Sequence, residues 1–196
     1  ALGICLVQQP EPLKLFNKIA RQSKSIQYWE AGQHCLKYIE DAPASQKTIS
    51  SYRIDKNQLW LNYTLRAKIA NYLVGIYNKH WSGYQDDIRA CRSSVKSEHA
   101  VSQGKYGVIA ITETLDYITT AAHAQAVLDW IQEDVGVQKI LANFIADLSM
   151  SDVERGDVLT FNCDEPQMMQ ALMGHVTSSL VTFRVLNKPY LPGFKQ

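Results

Sequence analysis

A nucleophile stands next to a base at one place in the 196 residues, His34-Cys35. A cysteine attacks as its thiolate, which needs a base or cation within hydrogen-bond reach. Consecutive side chains on a strand point to opposite faces, so on an extended segment these two cannot form a dyad. His80, His99, His123 and His175 are isolated in the chain, and no paired-histidine helix motif for zinc is present. Cys5, Cys35, Cys91 and Cys163 form no CxxC pairing and read as free, mostly buried thiols. Asp86-Asp87 offers two carboxylates to a cation, but no third oxygen ligand is spaced to complete a calcium loop. The ten glycines form neither a phosphate loop nor a dinucleotide fingerprint, and there is no GxSxG elbow. A glycan hydrolase needs two carboxylates across a cleft; Asp86, Asp87 and Asp116 are candidates that no motif singles out. The expectation is no catalytic residue, no cofactor and no metal. Asn62-Tyr63-Thr64 matches a glycosylation sequon, a pattern frequent by chance.

The residues that best suit recognition are aromatic. Tyr72, Tyr77, Trp81 and Tyr84 cluster around one proposed hairpin. Such a cluster can stack on bases or sugars, but it more often packs in a sheet or a subunit interface; it is read here as an interface. Met168, Met169 and Met173 read as core or interface filler rather than a cofactor box.

Composition bounds the class. The chain is 46% hydrophobic and 20% charged, with a formal net charge of +1. That balance fits a folded domain and gives no reason to expect nucleic-acid binding. No stretch approaches the ~20 apolar residues of a membrane span, and no signal peptide is expected. The chain begins at Ala1, through loss of an initiator Met or excision from a longer protein. Charge is uneven: residues 1–111 hold 15 basic against 8 acidic groups, and residues 112–196 hold 5 against 11. Either the two halves pack together, or a basic face of one copy meets an acidic face of the next.

The elements that must position these residues read as α+β, mainly antiparallel β (barrel-like or a split sheet), with a short N-terminal helix and one well-defined helix near 120–135. Pro12 suits a first helical turn, and Leu15, Phe16, Ile19 and Ala20 share a face in a helix ending near Ser23. Residues 25–30 and 33–39 read as a hairpin, and 49–54 and 59–63 as strands. Residues 67–94 read as a long hairpin turning at Trp81-Ser82-Gly83-Tyr84, although 67–77 could be helix by pattern alone. Residues 97–105 read as a loop and 106–113 as a strand. Thr119 or Thr120 caps a helix whose Ala124, Val127, Leu128, Ile131 and Val135 share a face, closed by Gly136. Its Asp129, Glu133 and Asp134 lie toward the end where the helix dipole disfavours them, so basic residues are expected beside them. Residues 139–148 read as a strand or short helix, and 158–163 and 176–186 as strands. The domain reading is 1–48, helix and hairpin, and 49–196, a β-rich α+β region, packed as one globular unit.

One ordered set of features goes further. Thr64-Leu65-Arg66-Ala67-Lys68-Ile69-Ala70-Asn71 precedes Val74-Gly75-Ile76-Tyr77, and Gly83-Tyr84 follows. Then come Ser102, Lys105-Tyr106-Gly107, the capped helix, and Glu154-Arg155-Gly156-Asp157-Val158-Leu159. This order, over roughly residues 48–163, resembles the hub and tail-tip proteins of tailed bacteriophages and prophages. The resemblance implies a non-enzymatic structural protein in the virion tail, assembled in the bacterial cytoplasm. It implies a homo-oligomer, with a trimer favoured, that docks tail-tube and spike or fibre proteins. A cell-wall or glycan hydrolase of a phage tail is the alternative. Family hubs are usually longer chains, so this sequence corresponds to a fragment or a short version.

Overall fold

The structure is a computed structural model that describes residues 11–30, 32–41, 43–50, 53–54, 60–79, 91–162 and 180–186. The chain forms two compact units: Ala1–Ile39 with Tyr63–Ile140, and Glu40–Asn62 with Leu141–Gln196. This division differs from the expected boundary after residue 48, because the N-terminal helix and hairpin belong with the later segment 63–140. The bonds responsible are specific. The buried Gln22 side chain accepts from the Tyr117 backbone N–H at 2.9 Å, and Arg21 pairs with Glu113 at 2.7 Å.

In the first unit, Pro12 opens α1 (Pro12–Gln22), where its missing N–H leaves no hydrogen bond unmade. Ser23 closes the helix and Lys24 turns the chain at φ +52°. Strands β1 (Ser25–Glu30) and β2 (Gln33–Tyr38) then pair antiparallel. Gly32 supplies a φ of +78° to the turn between them, a backbone state that side-chain-bearing residues rarely adopt. Within α1, Ala20 is buried, but Phe16, assigned to the inward face by its spacing, is 49% exposed and meets the His34 ring at 5.5 Å.

The core of this unit forms where a sheet meets a helix. Strand β5 (Tyr72–Lys79) is central, antiparallel to β6 (Cys91–Glu98) and parallel to β7 (Ala110–Leu115). The β5–β6 pair is the expected hairpin, with its turn outside the described residues. The strand begins at Tyr72 because residues 66–68 form a 3-10 turn. Leu73, Gly75 and Tyr77 alternate onto the buried face. Helix α3 (Ala121–Val135) lays Ala124, Val127, Leu128 and Ile131 on that face. The i, i+3, i+4, i+7 spacing dictates this stripe, and burying each large aliphatic contributes about 1.5–3 kcal/mol. Thr120 is the N-cap, although its side chain makes no capping bond, and Gly136 is the C-cap.

Residues 97–105, read as a loop, end β6 and begin helix α2 (Ala100–Tyr106). The His99 ring caps this helix by accepting from the Ser102 N–H at 3.2 Å, and Gly107 ends it. The strand expected from 106 therefore starts at Ala110.

In the second unit, β9 (Val158–Asn162) is central, parallel to β3 (Lys47–Ser50) and antiparallel to β10 (Leu180–Arg184). Its core gathers Ile49, Ile54, Met150, Val153, Leu159 and Phe161. A turn leads into β9: the Glu154 N–H donates to the Asp157 carboxylate at 2.8 Å, and Gly156 takes φ +86°. Strand β4 (Trp60–Tyr63) pairs with β8 (Ile140–Asn143) in a two-stranded sheet. The class is α+β as expected. Among the described residues the strands form open two- and three-stranded sheets rather than a barrel, and two of the pairings are parallel.

Gly75 sets how closely β5 approaches α3. A Cβ there would stand 3.2 Å from methyl carbons of Leu115 and Leu128. Gly75→Val is expected to cost about 1–3 kcal/mol through overpacking, read as a lower urea midpoint with an unchanged slope.

Candidate functional site

Three of the sequence segments that carry the family resemblance, Thr64–Asn71, Ser102 and Lys105–Gly107, meet at one residue. Asn71 precedes β5 and is fully buried. A buried amide must satisfy its donors and acceptors or lose about 1–3 kcal/mol for each group left unmade. Its side-chain N–H groups donate to the Gly107 carbonyl at 2.7 Å and the Ser102 hydroxyl at 3.4 Å. Its side-chain oxygen accepts from the Ile109 N–H at 2.7 Å. The orientation of the amide is fixed, because Gly107 offers an acceptor and Ile109 a donor. The Asn71 main chain adds three bonds. Its carbonyl accepts from the His99 N–H and the Gln103 side chain, each at 3.0 Å, and its N–H donates to the Ile109 carbonyl at 3.0 Å.

The residues on either side of this node extend it. The Ala70 carbonyl accepts from the buried Gln132 side chain at 2.9 Å, and the Ala70 N–H donates to the Val135 carbonyl at 3.0 Å. These two bonds fasten the start of β5 to the end of α3. Thr64 exchanges backbone and hydroxyl bonds with Lys139, both at 2.9 Å. Gly107 has φ +76° and ψ 175°, a region nearly reserved for glycine. That conformation turns the chain from α2 into the segment that reaches Asn71. The Arg66 guanidinium lies 5.4 Å from the centre of the Tyr106 ring, and the Lys105 ammonium lies 5.1 Å from it. Thr64, Arg66, Asn71, Ser102, Tyr106 and Gly107 thus build a single corner of the first unit.

The four aromatic residues expected at an interface fall differently. Tyr72 is half-buried on β5. Tyr77 is 9% exposed and belongs to the core beneath α3, so replacing it probes folding. Trp81 and Tyr84 lie outside the described residues, as do Asp86, Asp87 and the methionines 168, 169 and 173. Asp116, the remaining hydrolase candidate, faces the Lys79 and Lys18 ammonium groups at 3.6 and 3.5 Å. Beside it, burial pushes the Tyr117 phenol above its usual range; Lys18 opposes this and Asp116 adds to it. His34 bonds to the Gln27 side chain at 3.0 Å on β2. Among the described residues no group of three or more His, Cys, Asp or Glu is placed to hold a metal ion, and no helix is long and apolar enough to cross a membrane.

Among the described residues, few of the basic neighbours expected along α3 are present. Asp129 accepts from the Ser97 hydroxyl at 2.6 Å and from Gln125 at 2.8 Å. Asp134 pairs with Lys139, five residues on. Sequence reasoning missed Asn71 as a node. The signal available was an amide-bearing residue inside an otherwise apolar run.

No protein-family model matches the chain, and no curated protein matches it. Among solved structures it is similar to the prophage tail protein gp18 from Listeria monocytogenes EGD-e, with 15% sequence identity and a TM-score of 0.47. The match covers 81% of this chain and 46% of that one, so the chain spans less than half the length of that protein.

Two substitutions test the corner. Asn71→Asp replaces the donor to Gly107 with an anionic oxygen. It is expected to cost about 2–4 kcal/mol at neutral pH. Burial and the facing Gly107 carbonyl disfavour this anion, so the folded pKa of the new carboxyl is raised. The deficit should therefore shrink on acidification and grow as pH rises, measured by urea unfolding of variant and parent at each pH. Gly107→Ala should cost about 1–3 kcal/mol through backbone strain, read in the same assay.

Proposed function

We propose that this chain is a structural component of a tailed-phage or prophage tail, similar to the hub or tail tip. On this reading it acts by self-association and by docking tail-tube and spike or fibre proteins, without catalysis. The observation that carries the reading is the convergence at Asn71. The Thr64–Asn71, Ser102 and Lys105–Gly107 segments, whose order gives the family resemblance, are joined by side-chain hydrogen bonds across 31 and 36 residues. A shared physical role for separated pieces is what a family signature requires, and a chance string of common tripeptides has none. The role is architectural: the bonds hold backbone segments in place, and the side chains left outside are cations, an aromatic ring and aliphatics suited to contact. Tyr72, with Trp81 and Tyr84, belongs to the same reading as contact surface. The oligomer it implies is a trimer, assembled in the bacterial cytoplasm and carried in the virion tail.

Labelling tests this directly. Gold-conjugated antibodies against the chain, applied to particles induced from the bacterium that carries its gene, should decorate one end of the tail. Unlabelled tails, with the protein recovered only free in the lysate, would contradict the reading.

A further inference from the structure

Five cations of the first unit face carboxylates. Lys14 pairs with Glu11, Lys18 and Lys79 with Asp116, Arg21 with Glu113, and Lys139 with Asp134. The Asn71 corner is different. Among the described residues, Arg66, Lys68 and Lys105 have no carboxylate partner; Arg66 and Lys105 instead share the Tyr106 ring. The sequence keeps this corner free of acid, with none between Asp55 and Asp86 or between Glu98 and Glu113. Next to these cations in the chain, Leu65 and Val108 are 66% and 68% exposed. Unneutralised cations beside exposed aliphatics form a surface complementary to an acidic protein face.

The same unit carries such a face. On α3, Glu133 and Asp134 are exposed in the last turn, where the helix dipole adds negative potential. Glu133 has no cationic partner among the described residues. Asp134 is met by Lys139 within the chain, which leaves Glu133 as the unpartnered acid and Arg66, Lys68 and Lys105 as the unpartnered cations among the described residues. We infer that the Arg66–Lys68–Lys105 corner of one copy docks on the acidic end of α3 of a second copy. The inference rests on the self-association part of the reading above and names the surfaces that make the contact. Each copy offers both halves, so the contact closes as a two-fold pair where both halves engage the same neighbour, and repeats around a ring or along a filament where they engage different ones. The Tyr106 ring already carries two cations, which favours a protein face over a stacked base.

Charge reversal with exchange tests it, by sedimentation of the whole chain at about 50 mM and about 500 mM salt. The parent should associate with rising concentration, and more weakly at the higher salt. Two variants, R66E/K68E/K105E and E133K, should each weaken association by about tenfold or more. An equimolar mixture of the two should regain it, because each then supplies the charge the other lacks. These residues are exposed and outside the core, and unchanged urea midpoints would show that both variants fold.

If the parent associates and both variants keep its mass, the inference is overturned while the tail reading stands. A parent that stays monomeric at both salts overturns the inference together with the self-association part of the reading; tail labelling then judges the rest. Binding of a single-stranded DNA oligonucleotide that the triple reversal abolishes, with the mass unaffected by any variant, would assign the corner to nucleic acid and overturn the inference.

Discussion

A fully buried asparagine side chain can be stable only if its donors and acceptors are all met by groups that stay in place. Asn71 imposes that condition on the first unit. Meeting it requires the Gly107 carbonyl, the Ile109 N–H and the Ser102 hydroxyl at one point, and so requires α2 and the lead into β7 to fold back onto the start of β5. Apolar burial alone would not select this arrangement, since aliphatic contacts tolerate displacement that a 2.7 Å hydrogen bond does not. The main-chain bonds of Ala70 to α3 then carry the constraint into the helix–sheet core. The cations and aliphatics around Tyr106 project from a surface whose backbone is fixed from below.

Charge works at a second level. The excess of basic groups in residues 1–111 over those that follow is partly explained by packing: Lys18 and Arg21 on α1 face Asp116 and Glu113 in and beyond β7. The exposed Arg21–Glu113 pair contributes little, of order 0–1 kcal/mol, whereas Asp116 is itself buried. The buried bond from Tyr117 to Gln22 and the burial of Ala20 are the firmer attachments of the N-terminal helix. Packing of the halves therefore accounts for some of the asymmetry and leaves the cations around Tyr106 unneutralised.

Local chemistry made much of this legible. Pro12 and Ser23 bound α1, Gly32 turns the first hairpin, and the apolar stripe of α3 appears in its sequence spacing. Gly156 marks its turn by the positive φ that glycine tolerates. What stayed hidden depends on contacts distant in sequence. Helix α2 is short and polar, and its cap is a histidine ring, a residue outside the usual capping set. The N-terminal module joins the first unit through bonds spanning more than 90 residues. Tyr77 looks like its aromatic neighbours in sequence, yet strand alternation sends it beneath α3 while Tyr72 faces the other side. In sequence Asn71 argues against a helix and closes one resemblance segment, but its side-chain partners lie 31 to 38 residues away.

Native-state hydrogen exchange of single amides is the most direct measurement of the constraint at Asn71. The Ile109 N–H donates to the Asn71 side chain and lies outside any strand. If the node is part of the cooperative core, this amide exchanges only through global unfolding, with the same free energy as the Leu73 and Leu128 amides. Exchange at the rate of an exposed loop, with Leu73 and Leu128 still protected, would contradict it and reduce the corner to a surface turn.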